Sequence, residues 1–355
     1  MRNFRSCAVL ITSALIASCT TKTGPKPTTP STNEQKVLED LADNVFAPDY
    51  DSLSLTTFAL QQTINAFAGS PTEVTLATAR SAWKTARASW ERCYACPIGE
   101  MATGTEPGTI DPWPVAYDRI DSLLSGNSPL DTIQMAAWEN DLKGFHPMEY
   151  VLFGVGGSKS AASFTQRDLR YLVLLAGNLN QLAGQLQNSW SASSAGSYYS
   201  DFVSAGNGSP MYSTQRDAFL DVTNGIVNMC DDLANKNLET PYTAKDPSMD
   251  QSLYSGNSIA EFAERLQSGE DIYTGNGATP GQGLAALLPL TDTGLDHQIR
   301  NGFAVAIQSV RAIPGPFSQA IASGSPAIPV AITAITNIEN ILDTSLVPFI
   351  QKEEN

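Results

Sequence analysis

The chain has 355 residues, a net charge of −15 and 42% hydrophobic residues. An acidic surface repels phosphate backbones, which excludes a nucleic-acid partner and leaves cations and basic surfaces as the groups drawn to it. The chain is longer than one hydrophobic core usually serves, so two modules are expected.

The N-terminus reads as an export signal. Arg2 and Arg5 precede a short apolar run from Ala8 to Ala17, too short to span a bilayer, which takes roughly 20 apolar residues. "LIASC" then places Cys19 directly after small residues, a pattern that resembles the lipobox of bacterial lipoproteins; a plain secretory signal with an incidental cysteine is the other reading. Residues 1–18 are expected to be removed, which takes away two arginines and moves the net charge to −17. Residues 19–34 are rich in Thr and Pro and read as a tether from a lipid anchor at Cys19. The expected location is the bacterial cell envelope, and no later run has the length and apolarity to cross a membrane.

Beyond the tether, apolar residues recur at helical spacing: Ala79, Trp83, Ala86 and Trp90, then Leu172 to Leu186, Phe219 to Leu233, Ile299 to Val310 and Ile328 to Leu342. Almost no period-two alternation occurs, so the fold class is all-α. Turn-rich stretches at 96–116, 191–212 and 268–283 separate the helices. The expected organisation is two packed helical bundles, residues 35–195 and 196–355, with long irregular loops near their junction. "CYAC" carries Cys93 and Cys96 without the strand context of a redox fold, so this pair is expected as thiols or a local disulfide, with Cys230 the other cysteine beyond Cys19. "GNGATPGQG", residues 275–283, lacks the lysine of a phosphate loop and reads as a flexible turn.

"GFHPMEYVLFG", residues 144–154, holds His146, one of two histidines. The residue before a proline avoids helical geometry, so His146 is expected at the N-cap, with Glu149 as the third helical residue. Two readings follow. Glu149 caps the helix as in a capping box, or the imidazole and carboxylate share one face and bind a cation. The zinc-peptidase pattern HExxH is absent.

This stretch resembles the GxHxxE motif of the imelysin-like family, also called M75 peptidases. "RSAWKTARASWERC" (80–93), "DPWPV" (111–115) and "LYSGNSIAEFAERLQSGEDIYTG" (253–275) are similar to further segments of that family. The resemblance implies two helical bundles with the motif near their junction, and envelope lipoproteins connected with iron uptake. His146 and Glu149 carry over as metal ligands. Tyr94 stands where the family commonly has a glutamate; Glu91 or Glu100 substitutes for it, or nothing does. Ala116 stands where an acid is usual, with Asp118 two residues on.

Other candidates carry two readings each. Trp113 walls the cleft or anchors its loop. Arg87 pairs with a buried acid or, as is commoner, extends to solvent. Ser255 and Asn257 are possible lining groups, whereas Ser258 and Glu261 fit an ordinary helix start. His297 is expected in solvent. The favoured function is a lipid-anchored envelope protein that binds a metal cation, iron before zinc, or an iron-uptake partner. The alternative is a metallopeptidase in which Glu149 activates water, and the third reading is a non-catalytic interaction scaffold.

Overall fold

The structure is a computed structural model that describes residues 32–96, 110–194, 196–289, 291 and 293–352. Cys19, residues 19–31 of the expected tether, Glu100 and most of the 96–116 segment lie outside the described residues, whereas Thr32, Asn33 and Glu34, placed in that tether from their composition, begin the first helix.

The fold is all-α, and among the described residues no strand occurs, only an isolated bridge between Asn276 and Pro280. One group of helices is built on α2 (Ala47–Gly69), which packs against α3 (Glu73–Arg92) and α6 (Gln166–Ser189). The short helices α4 (Tyr117–Ser125) and α5 (Phe145–Phe153) lie against this layer. After α7 (Tyr198–Val203), a second group comprises α8 (Gln215–Asp231), α9 (Ser258–Thr274), α10 (Thr293–Arg311), α11 (Phe317–Ser323) and α12 (Ala327–Ile341). The seam between the groups is the contact of α3 with α9. The first helix, α1 (Thr32–Leu41), lies against α7, α8 and the Leu284–Leu287 turn.

Local chemistry sets the helix starts. Thr72, Thr165 and Thr214 each accept a backbone N–H at the third helical residue, and the side chain there reaches back to the cap residue's N–H. These reciprocal caps satisfy donors that a helix leaves open. The apolar stripes then bury as their spacing predicts: Trp83, Leu172, Phe219, Ile299 and Ile328 are all inside. Each large apolar side chain removed from water contributes about 1.5–3 kcal/mol, and the two groups share one continuous core.

Two loops differ from their composition. The 191–212 stretch contains α7 and is held by Trp190, whose ring packs edge-on to Phe46 and Tyr198. The 275–283 stretch is not a flexible turn. Ala278 N–H donates to Asn44 O at 2.7 Å and Gln282 N–H to Asp40 Oδ2 at 2.9 Å. A Cβ on Gly277 would fall 1.8 Å from Asn44 O, so only glycine allows this approach. Cys93, Cys96 and Cys230 are buried free thiols rather than a disulfide.

Gly277→Ala is expected to destabilise the protein by about 1–3 kcal/mol through overpacking. Gly184→Ala, on α6 with open space at its Cβ position, is expected to stabilise it by about 0.4–1 kcal/mol. Urea midpoints of the two variants check both signs.

Candidate functional site at the helix-group seam

Gly144 precedes α5 with φ of 94°, a left-handed value that favours glycine, and is the N-cap. His146 is therefore the second helical residue and Glu149 the fifth, rather than N-cap and third. A proline this early is tolerated because the first N–H groups of a helix have no internal partner. His146 and Glu149 still share a face at i and i+3. Glu149 does not cap the helix: its Oε1 accepts the Ser255 backbone N–H at 2.7 Å, across the seam.

Arg87 lies at the centre of the surrounding charges. It is wholly buried on α3, where the commoner expectation was a solvent-directed side chain. Its Nη2 is 2.6 Å from Glu91 Oε1, its Nη1 2.7 Å from Asp111 Oδ1 and its Nε 3.3 Å from Glu261 Oε2. The other Glu91 oxygen accepts from Arg265 Nε at 2.6 Å, and the Arg265 guanidinium stacks on the Tyr94 ring 3.8 Å from its centroid. Glu91 thus supplies a buried carboxylate near Tyr94, which itself faces Asp232 at 3.4 Å.

His146 Nε2 lies 3.0 Å from Asp111 Oδ1 and 3.4 Å from Arg87 Nη2, while its Nδ1 lies 3.5 Å from Glu149 Oε2. Burial of the ring opposes its charge, but the Asp111 carboxylate outweighs this and raises its pKa to about 9. Burial also opposes ionisation of Asp111, yet Arg87 and His146 hold it well below the usual carboxylate range. Four carboxylates, Glu91, Asp111, Glu149 and Glu261, face three cations, Arg87, Arg265 and His146. One negative charge is in excess.

Of the remaining candidates, Trp113 packs edge-on to His146 with centroids 5.2 Å apart and is partly exposed, so it forms the solvent side of the site. Asn257 Nδ2 donates to Glu261 Oε1 at 2.9 Å. Ser255 takes part through its backbone N–H, not its hydroxyl. Asp118 is exposed in the first turn of α4. Asp111, two residues before Trp113, is the acid that reaches His146. His297 is exposed, as expected.

The helix-start reading of Ser258 and Glu261 fails. Asn257 is the N-cap residue; Ser258 Oγ donates to Asp250, and Glu261 accepts from Ser252, Gln251 and Asn257 as well as pairing with Arg87. The signal that locates these groups is a charged pair at i,i+4 on an apolar stripe, Arg87–Glu91 on α3 and Glu261–Arg265 on α9.

The donor chemistry fits a cation on one side of the imidazole. Buried His146 Nδ1 meets Glu149 Oε2 at 3.5 Å, longer than a well-formed hydrogen bond, and neighbouring donors around a cation with bonds of about 2.1 Å lie roughly 3–3.4 Å apart. Asp111 on Nε2 stands where a carboxylate outside the ligand set would orient the ring of a metal-binding histidine. Among the described residues no group of three or more His, Cys, Asp and Glu side chains is placed to hold a metal.

The fold and site define an all-helical protein with a histidine–glutamate pair buried where two helix groups meet. Residues 46–343 match the imelysin family, peptidase M75, and the chain belongs to that family. It is 28% identical over 325 residues to iron-regulated protein A of Synechococcus elongatus, covering 89% of this chain and 86% of that protein. Two solved structures share the fold. One, described as an iron-regulated protein A precursor from Parabacteroides distasonis, has a TM-score of 0.78 at 21% identity, covering 89% of this chain and 95% of that one. The other, an imelysin-like protein from Psychrobacter arcticum, has a TM-score of 0.71 at 14% identity, covering 90% and 96%.

The raised pKa sets a sign for linkage. Stability from the His146 charge is fully present below the unfolded value of 6.5 and is lost as pH rises through about 9. NMR titration of His146 is expected to give a midpoint near 9, and Asp111→Asn to lower it. A wild-type midpoint at or below 6.5 would contradict the assigned contacts.

Proposed function

We propose that this protein is an envelope lipoprotein, anchored through Cys19, that binds an iron cation at His146 and Glu149 rather than hydrolysing peptides. The observation that carries the reading is the buried Nδ1 of His146 facing Glu149 Oε2 at 3.5 Å, longer than a well-formed hydrogen bond. The naming of a relative as iron-regulated supports iron over zinc.

The chain's own residues prepare this pair. Arg87 fixes Asp111, and Asp111 accepts the hydrogen bond of Nε2–H, so loss of the Nδ1 proton from the imidazolium leaves the Nδ1 lone pair to bind a cation. The Ser255 N–H holds Glu149 Oε1 and leaves Oε2 directed at the ring. A bound cation would supply the positive charge that offsets the excess carboxylate.

Two features disfavour the peptidase alternative. A catalytic zinc generally takes three protein ligands and an open position, and Glu149 cannot serve at once as ligand and as base for water. Delivery of the cation to a partner in the envelope fits a protein held to the membrane by a lipid and carrying an acidic surface.

Calorimetry on the full chain, purified in detergent without a histidine tag, tests the reading with ferric citrate, ferrous iron and zinc. Near-stoichiometric iron binding is expected, reduced at least 100-fold in His146→Ala/Glu149→Ala. Equal silence of both proteins, or tight zinc binding with none of iron, would overturn it.

A further inference from the structure

The Ser255 N–H that holds Glu149 belongs to a tight turn between Asp250 and Ser258, just before α9. Within it the Gly256 N–H donates back to Ser252 O at 2.9 Å, and Gly256 takes a φ of 63°. One side of the turn faces the seam. There Ser255 meets Glu149, Ser252 Oγ donates to Glu261 Oε1 at 2.7 Å, and Asn257 Nδ2 reaches the same oxygen. The segment after α5 packs closely on this side, so that a Cβ on Gly157 would fall 2.9 Å from Tyr254 O.

Asp250 fixes the turn from the other side. It is wholly buried, and among the described residues no cation pairs with it. Its partners are three neutral donors. Ser258 Oγ and the Ser252 N–H, the latter at 3.3 Å, donate to Oδ1, while the Ser318 N–H in the first turn of α11 donates to Oδ2 at 2.9 Å. The Ser252 N–H also lies 3.1 Å from Ser258 Oγ. One carboxylate thus joins the start of the turn to its end and ties both to α11. A carboxylate buried without a cation is costly unless hydrogen bonds satisfy it. For packing alone an apolar side chain would serve at lower cost, so what the carboxylate contributes is the shape of the turn.

We propose that Asp250 is a positioning residue of the seam site: by pinning both ends of the turn it keeps the Ser255 N–H on Glu149 Oε1 and so keeps Oε2 directed at His146 Nδ1. Its functional consequence rests on the cation-binding reading above, which it extends to a residue without a hydrogen bond to either ligand. A site binds well when its ligands are held in place beforehand by residues behind them. Without Asp250 the turn loses its tie to α11 and its closure through Ser258, the Ser255 N–H moves off Glu149, and the carboxylate is free to rotate away from the ring.

Two measurements on the full chain in detergent test this: amide hydrogen exchange by NMR without added cation, and calorimetry with ferric citrate. Asp250→Ala and Ser258→Ala are each expected to speed exchange of the Ser255 N–H about tenfold or more, with exchange of the Phe303 N–H in the core of α10 unchanged, and to weaken ferric binding about tenfold or more. Asp250→Asn fills the same space and keeps one acceptor oxygen, so it is expected to fall between wild type and Asp250→Ala in both measurements. Unchanged Ser255 exchange in all three variants overturns the proposal. So does a rise shared equally by Ser255 and Phe303, which is the mark of a purely structural role, and so does faster Ser255 exchange with wild-type ferric affinity. Absence of ferric binding by wild type overturns the cation reading, and the positioning of Glu149 then stands or falls on the exchange result.

Discussion

The guanidinium of Arg87, buried among carboxylates from three segments of the chain, is the interaction around which the seam is arranged. Glu91 comes from its own helix, Asp111 from the irregular stretch before α4, and Glu261 from α9 in the other helix group. Removing an arginine from water is costly, and only several well-placed partners offset it. The planar fork of donors reaches all three, so Arg87 ties one group to the other while fixing where Asp111 points. Arg265 repeats the device from the other side, with Glu91 shared between the two arginines.

This arrangement explains how a histidine can be both buried and oriented. Asp111 holds one ring nitrogen, which directs the other at Glu149, itself held across the seam by Ser255. The pair is thus assembled from both helix groups, although its two residues are three apart on one short helix. A change in how the groups pack would alter Glu149 first, because only one of its oxygens is tied to the opposite side. Trp113 packs edge-on to the imidazole on its solvent side.

The helices were legible in the sequence because a helix that covers a core must repeat its apolar residues every 3.6 positions, and those stripes are long. His146 and Glu149 were legible as a pair from their spacing. Arg87 and Glu91 carried a readable signal, a charge pair on the same stripe as Trp83 and Trp90, yet a single helix cannot say whether such a pair turns to solvent or inward. Asp111 was hidden because it lies in a segment without period, where Asp118 looks equally suitable. Glu261 was misread because a carboxylate at the start of a helix is chemically the same group whether it caps that helix or meets an arginine 174 positions earlier in the chain. The 275–283 segment shows the reverse error: its glycines reflect close contact with Asn44, not freedom.

The central claim is that Arg87 is structural and holds the seam. Equilibrium unfolding of Arg87→Ala in urea tests it most directly, since the variant leaves Glu91, Asp111 and Glu261 without their shared partner. Arg87→Ala is expected to lose about 3–5 kcal/mol relative to wild type. A loss below about 1 kcal/mol, the range of an exposed ion pair, would contradict it.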